Sequence, residues 1–155
     1  MIFFDDIDVG TKIEHGSVEV SREEVLEFAR KYDPQPFHLS DEAAAKTPFG
    51  KIAASGWNTA ALVMRVLVDS WSDKGLTGVG SPGLDELRWL KPVYPGDTLH
   101  VSSEVVDKRA SRSRPQIGSV WSDIIVTNQH GEQVMRYRSI VMMLRKTAGA
   151  PLSDA

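Results

Sequence analysis

Residues Ser55 to Trp71 read SGWNTAALVMRVLVDSW, the longest helix candidate in the chain. The run is apolar almost all the way round through Val68, with Arg65 its only charge up to that point. Such a helix is expected to be buried on most faces rather than along one stripe. It is interrupted by Asn58, Thr59 and Arg65, and its apolar part falls short of the ~20 residues needed to span a bilayer. What flanks this helix then decides the fold.

On its C-terminal side, Gly75, Gly78, Gly80, Pro82 and Gly83 predict a flexible connection, and strand signals dominate after it. Leu84 to Val93 is the first. Tyr94-Pro-Gly-Asp97 carries Pro and Gly in its two central positions, which predicts a type II turn. In Thr98 to Val106, Leu99, Val101 and Val105 alternate with polar residues, as a half-exposed strand requires. Val120 to Thr127 and Val134 to Leu144 follow, joined by the glycine-containing loop Asn128 to Gly131. On the N-terminal side, Val9 to Val20 reads as a weak strand or two around Gly16. Ser21 and Glu24 have capping-box spacing for a helix through Val25, Leu26, Phe28 and Ala29. That helix is expected to stop at Asp33-Pro34, and a second short one to run from Ser40 to Lys46, with Ser40 or Asp41 as cap. The order implies an α+β domain, an antiparallel sheet wrapped around one buried helix.

At 155 residues the chain suits one domain, expected over residues 1–148, with 149–155 as a flexible tail. A net charge of −3 gives no bias toward nucleic acid. With no cysteine, disulfides, thiolate metal sites and cysteine nucleophiles are excluded. The opening MIFFDDIDVG lacks the basic region and long apolar core of a secretion signal, so a soluble cytoplasmic protein with no membrane contact is expected. His15, His100 and His130 lack metal-ligand spacing with a second histidine or carboxylate, and no metal site is expected. The tryptophans at 57, 71, 89 and 121 are read as packing residues.

Tyr32 to Leu39, YDPQPFHL, is the stretch whose residue types suit chemistry. Asp33 and His38 could act together as base and acid near neutral pH. Pro34 and Pro36 fix their own φ and push Asp33 and Gln35 out of the helical region, which predicts a loop. Five extended residues span up to roughly 17 Å, so proton sharing requires the chain to turn back. On residues alone, the octapeptide also reads as a helix stop with an incidental Asp and His. Likewise Ser55-Gly56, opening the long helix, reads either as an ordinary cap by Ser55 or Asn58 with a packing glycine, or as a site for negative charge. There free N–H groups and the helix dipole face outward.

The pattern Asp33-x-Gln35-Pro36-x-His38 resembles the hydratase motif Asp-x-Asn-Pro-x-His of the MaoC-like family of (R)-specific enoyl-CoA hydratases and acyl dehydratases. Gln35 stands where the family usually has Asn. The run IAASGWNTAAL is similar to the family's His-Gly-x-x-Thr-Ala segment, with Ser55 replacing the His. The resemblance implies the hot-dog fold, a homodimer, an acyl-CoA thioester substrate and no cofactor beyond the coenzyme A of that substrate. It also implies catalytic Asp33 and His38, a thioester carbonyl polarised by the Gly56 N–H, and Ser55 in the substrate site. The basic hairpin Lys108 to Pro115 is read as a solvated loop, or through Arg112 and Arg114 as a contact for coenzyme A phosphates. Two other functions share this frame: an acyl-CoA thioesterase and a non-catalytic acyl-thioester-binding protein.

Overall fold

A computed structural model describes residues 1–146; the expected tail at 149–155 lies outside the described residues. After a 3₁₀ turn at Phe4–Asp6, the elements run β1 (Lys12–Glu19), α1 (Arg22–Tyr32), α2 (Pro36–Leu39), α3 (Asp41–Ala45), α4 (Gly56–Lys74), β2 (Gly78–Trp89), β3 (Thr98–Ala110), β4 (Ile117–Thr127) and β5 (Gln133–Leu144). The five strands form one antiparallel sheet in the order β1-β3-β4-β5-β2. This is the α+β hot-dog arrangement.

The sheet's inner face meets α4 through Leu99, Val101, Ile124, Val126 and Met135, all but sealed from solvent, against Val63 and Leu67 of the helix. A second cluster of Phe4, Val105, Val120 and Met143 closes the far end of the sheet. The predicted turn forms, with Asp97 N–H donating to Tyr94 O at 3.0 Å and Gly96 at φ +92°, a conformation that favours glycine. Ser21 and Ser40 cap their helices by accepting from Glu24 and Ala43 N–H, each at 3.3 Å.

Three expectations are corrected. The glycine-rich connection is strand from Gly78 onward, because bulges at Gly78/Gly80, Gly80/Gly83 and Asp85/Arg88 let an irregular chain keep pairing with β5. Leu90 to Val93 leaves the sheet instead and turns toward the start of α4. Finally, α4 is not enclosed: Trp57, Met64 and Val68 are exposed, beside the equally exposed edge strand β2 with Val79, Leu84 and Trp89. The all-round apolar character of the helix therefore serves two surfaces, one facing this sheet and one left open in the single chain.

Candidate active site

The segment after α1 turns back on itself. α1 ends at Tyr32, since Pro34 cannot continue the helix and disfavours helical backbone at Asp33. Pro36 then occupies the first position of α2, where its missing N–H is no loss. What the sequence reads as a loop is thus one helical turn, and that turn carries His38 back to Asp33. His38 Nε2 lies 3.3 Å from Asp33 Oδ2.

His38 is buried, packed between Phe37 and Phe49 with ring centroids 4.6 and 6.3 Å away. Its Nδ1 is 2.7 Å from Ala53 O. A carbonyl only accepts, so Nδ1 carries the hydrogen, and Nε2 faces the carboxylate as a lone pair in the neutral imidazole and as a donor in the protonated one. Asp33 Oδ1 in turn accepts from Gln35 Nε2 at 2.7 Å. The Gln in place of the family's Asn thus hydrogen-bonds the Asp33 carboxylate directly. Burial pushes the Asp33 carboxyl up, but polar neighbours, the Gln35 amide first among them, hold it below the usual range. Asp33 is therefore ionised at neutral pH.

The N-terminus of α4 faces this pair. Ala54 N–H donates to Val93 O at 2.7 Å, which anchors the approach to the helix against the segment that leaves β2. Asp33, His38, Ser55 and Gly56 line one open cleft of about 390 Å³, with Phe49, Trp57, Trp89 and Val93 in its walls. Gly56 N–H has no acceptor among the described residues, as expected for a first helical position. The lack of a side chain at Gly56 serves close packing: a Cβ there would stand 2.5–2.8 Å from the Trp89 ring. Trp89 Nε1 donates to Gly56 O at 2.9 Å, and the ring meets Trp57 edge-on, centroids 5.1 Å apart. Trp89 is a wall of the cleft, a role its place at the end of a strand does not reveal in the sequence.

A family model described as "MaoC like domain" matches residues 6–129. This chain belongs to the MaoC-like family. A MaoC-like dehydratase from Rhodospirillum rubrum superimposes with a TM-score of 0.87 at 39% identity, over 96% of this chain and all of that one. The (R)-hydratase PhaJ1 of Pseudomonas aeruginosa gives 0.69 at 26% identity, over 99% and 97% of the two chains. A 3-hydroxybutyryl-CoA dehydratase of Methylorubrum extorquens is 32% identical over 134 residues, 83% of this chain and 82% of that protein.

Two residues from the sequence reading do not join the MaoC-like cleft. Arg112 and Arg114 sit in the β3–β4 hairpin. Trp89, beside the cleft, shares its level of the sheet with Met135, Val126 and Val101, whereas the hairpin follows Ala110. At about 3.3 Å per residue, the interval from Val101 to Ala110 puts the hairpin roughly 30 Å along the sheet from the cleft. Within one chain, these arginines and the Asp33–His38 pair stand at opposite ends. His15, given no role from the sequence, is half-buried between Ser70 Oγ (2.9 Å) and Ser103 Oγ (2.7 Å), tying β1 to α4 and β3.

Proposed function

We propose that this chain is an acyl-thioester hydro-lyase that adds water reversibly across a 2-enoyl-CoA, with Asp33 and His38 as its catalytic pair and Gly56 N–H as the donor to the thioester oxygen. The carrying observation is the 3.3 Å approach of two proton acceptors, Asp33 Oδ2 and His38 Nε2, inside a cleft shared with Gly56. A water molecule donating one hydrogen to each acceptor would have its oxygen lone pair free for attack. As that oxygen bonds to C3 of the substrate, one water proton passes to the pair and the C2=C3 electrons move onto the thioester oxygen. The negative charge formed there meets Gly56 N–H and the positive end of α4. A proton from the pair then closes C2, so that H and OH have been added and the site is restored. The names of the relatives, dehydratases and hydratases, support the same reading.

The reading extends to a homodimer. The exposed edge β2 and the apolar flank of Met64, Val68, Val79 and Leu84 together form a surface that a second copy would cover. The deciding experiment is incubation with short and medium 2-enoyl-CoAs. Loss of the conjugated double bond supports the proposal, release of free thiol would mean a thioesterase, and saturable binding with neither would mean a carrier. Asp33→Asn and His38→Ala should each lower kcat by about 10²–10⁴-fold, the usual worth of a general acid or base. Because both act on one water, the double variant should be little worse than the poorer single one. Full activity in Asp33→Asn would refute the mechanism.

A further inference from the structure

Ser21, Ser40 and Ser55 each occupy the residue before a helix, and two of them use their hydroxyl as that position normally demands. Ser21 and Ser40 accept a backbone N–H from the first turn. Ser55 makes no such bond at the start of α4, the longest helix. Its hydroxyl is buried, the residue being 1% exposed, and it has no partner among the described residues. A buried polar group left unpartnered is unfavourable and rare. Ser55 therefore gives up the bond available to it locally, and does so in the wall of the cleft that also holds Asp33.

The chemistry around Asp33 says what that hydroxyl can do. A carboxylate offers about four lone-pair positions and only accepts. Gln35 takes one on Oδ1, and His38 stands opposite Oδ2. A serine hydroxyl adds a single donor on a short, stiff side chain, delivered from α4 rather than from the Asp33 segment itself. We infer that Ser55 is a positioning residue whose hydroxyl donates to the Asp33 carboxylate in the working site, fixing the oxygen that takes the proton of water. Two donors from different elements, the Gln35 amide and the Ser55 hydroxyl, then hold one base. Ser55 is among the polar groups that lower the Asp33 carboxyl, which agrees with that role. The inference rests on Asp33 being the base, and it goes further by giving the residue before Gly56 a task through Asp33 rather than on the substrate.

The test uses a readout that does not need turnover. Asp33 is titrated by its carboxyl ¹³C signal in the full chain, with Asp33→Asn to assign the resonance. In Ser55→Ala its midpoint should rise by about one pH unit, corresponding to tenfold in the ionisation equilibrium. Ser55→Thr, which keeps the hydroxyl, should return it to the wild-type value. The acid limb of kcat/KM for a 2-enoyl-CoA should move up with the titration, while kcat on the neutral plateau changes far less. An unchanged Asp33 midpoint in Ser55→Ala overturns the inference. So does a loss of plateau kcat without any shift, which would place the hydroxyl on the thioester oxygen. Thermal unfolding adds a third arm. Ser55→Ala should lower Tm at neutral pH but not at a pH low enough to protonate Asp33, whereas Ser21→Ala lowers it at both; a drop independent of pH would make Ser55 an ordinary cap. A wild-type protein that hydrates no enoyl thioester would refute the proposed activity alone, since the carboxyl titration is read independently.

Discussion

Replacing Gly56 by Ala separates the stability of the cleft from its chemistry. Backbone conformation is no obstacle, since Gly56 is not among the glycines with positive φ, and alanine is favoured over glycine in a helix by up to ~1 kcal/mol. The obstacle is the Trp89 ring, 2.5–2.8 Å from the new methyl group. That ring is 44% exposed, so it can swing away, giving up its hydrogen bond to Gly56 O and its edge contact with Trp57. Those losses amount to ~1 kcal/mol for the hydrogen bond and ~0.5–1.5 for the aromatic pair. After the helix gain, the net destabilisation is about 1 kcal/mol, or ~2–4 °C in Tm for a domain of this size. Activity should respond far more. The methyl and the displaced indole both crowd the approach to Gly56 N–H, and loss of such a donor lowers kcat by about 10²–10³-fold. The assay pairs thermal unfolding with the disappearance of enoyl absorbance at saturating substrate. Combining Gly56→Ala with Trp89→Ala should relieve the clash without restoring turnover. Near-wild-type kcat in Gly56→Ala would refute the assignment of its N–H to the thioester oxygen.

His15 supplies a pH signature. Burial, with the nearby charge of Lys74, pushes its imidazole down to about 4 from an ordinary 6.5. A base that is harder to protonate when folded contributes stability that is complete above 6.5 and lost as pH falls from there toward 4. The full 2.5-unit difference corresponds to ~3 kcal/mol, and solvent screening at a half-buried site reduces this to ~1–2 kcal/mol. Unfolding free energies from urea titrations at pH 7 and 4.5 should differ by that amount in the wild type and by much less in His15→Gln; parallel losses in both would refute it. For the basic hairpin, Arg112→Ala with Arg114→Ala should leave KM for a coenzyme A thioester unchanged even at low salt. A salt-sensitive rise would mean that a hairpin from the partner subunit reaches the cleft. Light scattering at micromolar concentration should give a dimer mass, and a monomer would refute the covered-edge argument.

The sequence carried the fold because its strongest signals are periodic. Alternation in Leu99, Val101 and Val105, the apolar surface of α4 and the Pro-Gly turn at residues 95–96 each report a local preference that the tertiary structure keeps. Its failures have a common cause in long-range pairing. Gly78 to Gly83 looks like a linker because glycine weakens a strand locally, yet β5 holds it in the sheet through three bulges. The helical turn that brings His38 to Asp33 was hidden behind two prolines, one of which opens it. Asp33, His38 and Gly56 were legible as a motif, but their shared cleft was not. Nothing local to Ser55 distinguishes it from Ser21 or Ser40; only the surroundings of its hydroxyl do. Trp89 and the far placement of Arg112 and Arg114 are consequences of sheet register, which no single segment encodes.

The edge-on meeting of Trp57 and Trp89 at the cleft gives the protein a native optical probe. Two of its four indoles share one mouth, both exposed to water, and the acyl thioester proposed as substrate would displace that water on arrival. Ultraviolet emission can thereby follow occupancy of the cleft in unlabelled protein, with substrates that turn over and with analogues that do not.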